Sequence, residues 1–367
     1  MRLILLGDLH IGVNGSHPVY LSMAKKFLIE GLFPFMTKEK INTIIQAGDT
    51  VDTRKFITGQ ALSILREVYL EGIMWNNFRL HTILGNHDVV YRNTNALSVF
   101  DQIFKLNPEF KRNITVYNEP TRVYDFEESD TTIDFLPWIN EENAQRTFNL
   151  AATPGAKFAI GHLELKGFEM YRNIPMKRGT EASRFKEYDT VFTGHYHTIS
   201  RQGNIQYIGA PAEYNWSDAG DPRGFFVLDT ETGETEFYEN PLKMYHHITY
   251  DDTAQAYGVK EIREISEPLA ERHVKMTVKA KSKPKNLEKL IAAIESVNPL
   301  SFSVFEQCDD IVDEFKEASN EQAKSELIDE STGELLKTEA IIRKYSPNER
   351  VCDKMIDIYH AALSMGG

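Results

Sequence analysis

The sequence predicts an α/β fold, on three observations. From residue 1 to about 240, short β-rich runs alternate with longer helical ones. Most of the strand candidates run directly into a glycine followed by a polar or ionisable cluster, and in open α/β sheets ligands bind beyond such strand ends. Past residue 240 the alternation stops and charge rises, so a small α+β unit and a tail are expected.

The first strand is expected at residues 3–6, because Gly7 and Asp8 end the opening apolar stretch well short of a secretory signal's core. Further strands are expected at 43–46, 80–84, 132–136, 158–160 and 190–192, and helices at 19–36, 59–75, 95–105 and 141–150. Five strand ends carry Gly7-Asp8, Gly48-Asp49, Gly85-Asn86, Gly161-His162 and Gly194-His195, where glycine permits the tight turn. A hairpin follows, 224–229 with 235–239 around the turn-rich 230–234. Strands at 248–250, 273–280 and 302–305 with a helix at 287–297 make a small α+β unit. Residues 309–337 are charged and poor in aromatics, which suits a linker or an exposed helix. Val351, Met355, Ile358, Tyr359 and Ala362 recur at helical spacing after residues 340–345 and a break at Ser346-Pro347, so a helical hairpin closes the chain. The expected organisation is therefore 1–240, 241–308, a linker at 309–338 and a helical segment at 339–367.

Composition narrows the function classes. The 367 residues are 41% hydrophobic and 11% aromatic, as in globular chains, and no apolar run approaches the roughly 20 residues that span a bilayer, so no membrane is expected as partner. Two cysteines, Cys308 and Cys352, point to a reducing, cytoplasmic compartment. A net charge of −13, much of it beyond residue 300, excludes nucleic-acid binding through overall charge and leaves local basic patches or metal ions to attract a polyanion.

The chemistry-bearing constellation is Asp8-x-His10, Gly48-Asp49-x-x-Asp52, Gly85-Asn86-His87-Asp88, Gly161-His162 and Gly194-His195-x-His197. Each piece alone is commonplace: Gly-Asp marks turns, and a lone Gly-His is more often a capped strand end than a ligand. Five such clusters in order, nearly all after strand-like runs, point to a metal site. Carboxylate and amide oxygens beside imidazole nitrogens suit manganese, iron or zinc, and the absence of thiolates argues against a structural zinc. Asp49 is the choice for a carboxylate bridging two ions.

These five motifs resemble those of the calcineurin-like metallophosphoesterases, over about residues 1–230. The resemblance implies a two-sheet sandwich flanked by helices and two Mn²⁺ ions, with Mg²⁺ as substitute. It makes Asp8, His10, Asp49 and His197 ligands of one ion and Asp49, Asn86, His162 and His195 ligands of the other. His87 then assists the leaving oxygen, Asp88 orients its ring, and an activated hydroxide attacks the phosphodiester in line. Asp-Leu-His-Ile-Gly at the start, Gly-Asn-His-Asp in the third motif and the long extension are similar to the SbcD-type nucleases, whose compact members include the T-even-phage version. That likeness implies a DNA exonuclease and endonuclease of double-strand-break repair, cytoplasmic in a host cell if phage-encoded. It further implies a capping domain over 241–306, a carboxyl-terminal segment that binds an SbcC-type coiled-coil ATPase, and a homodimer through helices 59–75 and 95–105.

Several features stay open between two readings. Many relatives carry histidine where this chain has Asp52, which bears on the balance of exonuclease and endonuclease action, and Asp52 could instead pair with Arg54. The faces Leu62, Leu65, Val68, Tyr69, Ile73 and Leu97, Phe100, Ile103, Phe104 suit either a dimer or the sheet beneath them. Tyr214 and Trp216 suit stacking on an unpaired base or packing. Basic clusters at 105–112, 177–186 and 275–285 suit a DNA backbone or solvent. His17, His81, His246, His247, His273 and His360 match no ligand position. The competing functions are a phosphatase or small-molecule phosphodiesterase, against which Asp88 stands where protein phosphatases read glutamate, and a non-catalytic scaffold, which would be expected to have lost ligands.

Overall fold

The computed structural model describes residues 1–171, 174–306 and Ile356. The strands, in chain order, are β1 (Arg2–Leu6), β2 (Thr43–Gln46), β3 (Arg79–Ile83), β4 (Ile114–Tyr117), β5 (Thr121–Val123), β6 (Ile133–Leu136), β7 (Phe158–His162), β8 (Glu169–Tyr171) and β9 (Ile174–Pro175). They continue with β10 (Thr190–Gly194), β11 (Ser200–Gln202), β12 (Ile205–Tyr207), β13 (Gly224–Asp229), β14 (Thr235–Glu239), β15 (Tyr245–Asp251), β16 (His273–Ala280) and β17 (Ser301–Glu306).

Two six-stranded sheets run β14-β13-β1-β2-β3-β4 and β11-β12-β10-β7-β6-β5. Their central strands are parallel, β1 to β2 to β3 to β4 in one and β6 to β7 to β10 to β12 in the other, with antiparallel partners toward the edges. The sequence dictates the layering. β1 is buried from Leu3 to Leu6, the continuous apolar run of a strand covered on both faces. Ile4 and Leu6, with Ile44 and Leu80, pack against Leu28, Leu65 and Phe100 of the helices. The alternate residues Leu3, Leu5 and Ile45 meet Phe135, Phe158, Ile160 and Phe192 of the other sheet. Leu136, Ala159 and Val191 face outward onto Ala151 and Phe185. A two-sheet sandwich with helices on both outer faces follows, as the resemblance implies.

The expected helices form with shifted ends. Pro18–Lys26, π-helical Phe27–Leu32 and Phe33–Glu39 follow one another, as do Gly59–Ser63, Ile64–Leu70 and Glu71–Trp75. Pro18, at the first helical position, needs no N–H partner there. The helix expected from 95 starts at Val99, where Ser98 and Asp101 form a capping box, because buried Asn95 donates instead to the carbonyls of Asn118 and Trp138. The helix expected from 141 starts at Ala144, after Asn140 and Asn143 have exchanged side-chain-to-backbone bonds. Leu65, Tyr69, Ile73, Phe100 and Ile103 lie in the core beneath these helices, whereas Leu62, Trp75 and Leu106 are exposed at 37%, 76% and 81%.

A third sheet runs β15-β16-β17, and helices Val259–Ser266 and Pro284–Ser296 pack on each other. In β16, Val274, Met276 and Val278 are buried while their neighbours are partly exposed, the alternation of a strand with one covered face. Two compact units divide the chain. One comprises Met1–Ile248, Asp252–Met276 and Ser282–Ser303; the other comprises Thr249–Asp251, Thr277–Lys281 and the described residues from Val304. The expected linker at 309–338 and Cys308 and Cys352 lie outside the described residues, as does the 339–367 segment except Ile356, which is helical and buried. Among the described residues no helix is long and apolar enough to cross a membrane.

Candidate metal centre

The site is assembled where parallel strands of both sheets end. β1 leads into Asp8 and His10, β2 into Asp49, β3 into Asn86, β7 ends on His162, and β10 leads into His195 and His197. Sharp turns aim these side chains: His10, Asp49 and His195 have φ of 42°, 47° and 85°, a left-handed conformation that costs a non-glycine residue about 1–3 kcal/mol. Two glycines let the chains close in. A Cβ on Gly85 would lie 2.2 Å from Asp49 Oδ1, and one on Gly194 would lie 2.4 Å from Asp8 Oδ1.

Three clusters result, Asp8 with His10 and His197, His10 with Asp49 and His87, and Asp49 with His162 and His195, each with its ligand atoms within 4.8 Å of one another. Asp49 belongs to two of them. His10 Nε2 lies 3.1 Å from His197 Nε2 and 3.7 Å from Asp49 Oδ2, and His197 Nε2 lies 3.7 Å from Asp8 Oδ2. On the other side His162 Nε2 is 3.3 Å from Asp49 Oδ2 and 2.9 Å from Asn86 Oδ1, which also lies 3.0 Å from His195 Nδ1. The structure thus brings together all seven residues proposed as ligands.

A surrounding layer of acceptors sets the ring tautomers. His162 Nδ1 meets the Ala47 carbonyl at 2.7 Å; a carbonyl only accepts, so Nδ1 carries a proton and Nε2 is the ring nitrogen turned inward. His87 Nδ1 donates to the Asp52 carbonyl in the same way. The Asp52 carboxylate lies 3.4 Å from His10 Nδ1 and so faces the His10 ring, not Arg54. Arg54 Nε donates instead to the Asn86 carbonyl at 2.6 Å.

Charge is crowded here. Burial, with the Asp49 charge adding to it, pushes Asp8 up to about 7. Burial alone would raise Asp49 too, but the His162 charge and hydrogen bond hold it below the usual carboxylate range. Against its own burial, His162 is carried up to about 9 by the Asp49 charge. His195 is pushed down to about 3 by burial and by the His162 charge, and burial first of all keeps His197 low. A proton on His162 thus balances Asp49 where a cation would, and cation binding would release it. With oxygen and imidazole donors and no thiolate, the set fits a divalent cation of intermediate hardness.

One expectation needs correction, and the two open aromatic readings are narrowed. Asp88 does not orient the His87 ring. Its buried carboxylate accepts from the main-chain N–H groups of Thr50 (2.9 Å), Val51 (3.2 Å) and Gly85 (2.9 Å), which ties the loop after β2 to the loop after β3. Tyr214 is no stacking platform: it is buried, and its hydroxyl lies 2.8 Å from the carbonyl oxygens of both Asp8 and Leu9. Trp216 is half-buried, edge-on to Tyr245 at 5.0 Å, with the Lys275 ammonium 4.1 Å from its ring centre. Two neighbours of the site escape sequence reasoning. Trp138, just past β6, packs 5.3 Å from the His195 ring, and buried Arg223 donates to the His197 carbonyl. Their only signals are the strand end before Trp138 and the acidic Asp218 and Asp221 just ahead of Arg223.

Comparison with known proteins agrees with this geometry. The family model described as calcineurin-like phosphoesterase matches residues 1–198. Exonuclease subunit 1 of Enterobacteria phage T4 is 36% identical over 253 residues, which cover 68% of this chain and 71% of that protein. A subunit of the SbcCD nuclease of Staphylococcus epidermidis is 24% identical over 260 residues, covering 64% of this chain and 67% of that protein. Among solved structures, an archaeal phosphodiesterase is similar with a TM-score of 0.34 and 12% identity, over 65% of this chain and 100% of that one. A match across more than half the chain, ending at the last of the five motifs, places it: the chain belongs to the calcineurin-like phosphoesterase family and is a phosphodiesterase related to nuclease subunits.

Proposed function

We propose that the chain is a metal-dependent DNA nuclease, an exonuclease on duplex and an endonuclease on single strands, acting in double-strand-break repair and recombination with an SbcC-type coiled-coil ATPase. The observation that carries this reading is Asp49, which is shared between two clusters of oxygen and imidazole donors. Asp8, His10, Asp49 and His197 would hold one Mn²⁺, and Asp49, Asn86, His162 and His195 a second. Bound there, divalent cations neutralise a phosphodiester and acidify water toward neutrality.

The chain's own residues do the rest. Ala47 fixes the His162 ring with its Nε2 inward, and the Asp52 carboxylate lies 3.4 Å from Nδ1 of the His10 ring. His87, whose main-chain N–H donates to Asp49 Oδ1 at 2.7 Å, is placed beside the shared carboxylate, where it assists the leaving oxygen. Its Nδ1 already donates to Asp52, so only the doubly protonated ring can give a proton from Nε2, and burial lowers the population of that form. The guanidinium of Arg54, anchored on the Asn86 carbonyl, suits a phosphate beside that ligand.

Exposed Leu62, Trp75 and Leu106 support a homodimer through the helices at 59–75 and 99–106, while the buried faces of those helices cover the sheet. The segment 241–308 is read as a capping domain and 339–367 as the ATPase-binding element. End-labelled duplex and single-stranded oligonucleotides, digested with Mn²⁺, Mg²⁺ or EDTA, test the reading with Asp49→Asn as control. Metal-dependent shortening lost in that variant is expected. Hydrolysis of small phosphodiesters without DNA cleavage, alone and with the ATPase, would overturn it.

A further inference from the structure

Residues 209–223 run from the end of β12 to β13 and hold the site by its main chain. The Tyr214 hydroxyl donates to the carbonyls of Asp8 and Leu9, both 2.8 Å away. Arg223, itself held by Asp218 at 2.9 Å and Asp221 at 3.5 Å, donates to the carbonyl of His197. The same segment is fastened on its other side to the chain that enters β15. Buried Glu213 accepts from the main-chain N–H groups of Met244 at 2.7 Å and Tyr245 at 3.0 Å. The Tyr245 hydroxyl donates to the Tyr214 carbonyl at 2.9 Å and meets the hydroxyl of Tyr20, and Asn240 Nδ2 donates to the Pro211 carbonyl at 2.7 Å.

All of these bonds converge on one half of the site. Asp8 and His197 belong to the first ligand set, and Leu9 directly precedes its His10. The second set is braced mainly from elsewhere, His162 by Ala47 and the loops bearing Asp49 and Asn86 by Asp88, and it meets the first through the His195 N–H on the Asp8 carboxylate at 3.0 Å and the His10 N–H on the Asp49 carbonyl at 3.0 Å. Ligand geometry tolerates errors of only about 0.5 Å, so a displacement passed along this segment reaches the first cation site directly and the second only through those two bonds.

We propose that residues 209–223 form a strut that couples the position of the chain entering β15 to the Asp8, His10 and His197 cation site more strongly than to its neighbour, with Glu213 and Tyr214 as its positioning residues. The inference rests on the two-cation reading above. A ligand that moves the chain at Met244 and Tyr245 would change affinity at the first site, and by reciprocity filling that site would favour one position of those residues.

The test is Mn²⁺ binding by the full chain, followed by titration calorimetry and by electron paramagnetic resonance, since two ions about 4 Å apart are spin-coupled whereas a lone ion is not. Wild type should bind two Mn²⁺ with a coupled spectrum. Tyr214→Phe and Glu213→Gln should each weaken one ion about three- to tenfold and the other clearly less, and the uncoupled signal should grow. Tyr245→Phe, which removes a hydroxyl remote from every ligand, should do the same more mildly and serves where the other two fail to fold. Equal weakening of both ions, or undiminished binding of both, overturns the strut and leaves the two-cation reading standing. A wild type that binds no pair of ions overturns both.

Discussion

Asp88→Asn separates two roles that the third motif could give its last residue. The buried carboxylate accepts three main-chain N–H bonds, from Thr50 and Val51 on one oxygen and from Gly85 on the other. Asparagine has the same shape and can offer its carbonyl to Thr50 and Val51. Its NH₂ then faces the Gly85 N–H, donor against donor. One bond to a charged acceptor is lost and a buried donor is left unsatisfied, which costs about 2 kcal/mol. At roughly 2 °C per kcal/mol for a large domain, the melting temperature should fall by about 4 °C in EDTA, read by circular dichroism at pH 8, where the carboxylate, pushed up to about 7 by burial and the Asp49 charge, is ionised. Activity should fall alike on DNA and on an activated ester such as bis(p-nitrophenyl) phosphate, because Asp49 and Asn86 shift together. A residue that tuned His87 as a proton donor would behave differently: the poor leaving group of DNA would suffer and the activated ester would not. An unchanged melt with a loss confined to DNA would refute the tether.

Further predictions follow from single contacts. Asp49→Asn removes a carboxylate shared by two of the three clusters, so DNA cleavage and Mn²⁺ binding should fall by more than the roughly 10- to 100-fold typical of an outer-layer residue; calorimetry showing two ions still tightly bound would contradict the assignment. Gly85→Ala places a methyl 2.2 Å from Asp49 Oδ1 and 2.3 Å from its main-chain nitrogen, so Mn²⁺ affinity should drop at least about tenfold, and a wild-type titration curve would show the packing to be looser than described. Glu127 is held below its ordinary 4.5 by a hydrogen bond from His81 at 2.7 Å, so its contribution to stability is present above that pH and is lost as pH falls through the lowered value. Glu127→Gln should therefore flatten the acid limb of a stability-against-pH profile; parallel limbs for the two proteins would count against the pair.

What is legible in the sequence is set by burial. β1, β2, β3, β7 and β10 are buried almost throughout and therefore read as short β-rich runs, unbroken and apolar in β1 and mixed with buried threonine, glutamine or histidine in the others, and the ligands stand at or just past their ends. β5, β11 and β12 have three residues each and β4 has four, too few to show a period, and the sequence predicts none of them. Helix starts slip by three or four residues where asparagines, good caps by type, are drawn into loops. The role of Asp88 is illegible for a deeper reason: its partners are main-chain N–H groups, which every sequence has and none displays. Tyr214 reads as a stacking candidate because nothing local reveals that Asp8, 206 positions away, lies above its hydroxyl.

The same contacts explain why a set of strained turns holds its shape. His10, Asp49 and His195 each sit in an unfavourable backbone conformation, yet each is fixed by a bond its neighbours cannot easily make elsewhere. The His10 N–H donates to the Asp49 carbonyl at 3.0 Å, the His87 N–H to Asp49 Oδ1, and the His195 N–H to the Asp8 carboxylate at 3.0 Å. Each turn therefore stabilises the next around the ring of ligands, and two carboxylates that lie among the candidate ligands also serve as backbone acceptors. The arrangement is preorganised by the chain itself, so a cation entering it finds donors whose direction is already set and must displace mainly protons. For that reason substitutions in the surrounding layer should show first as weaker metal binding and only secondarily as unfolding.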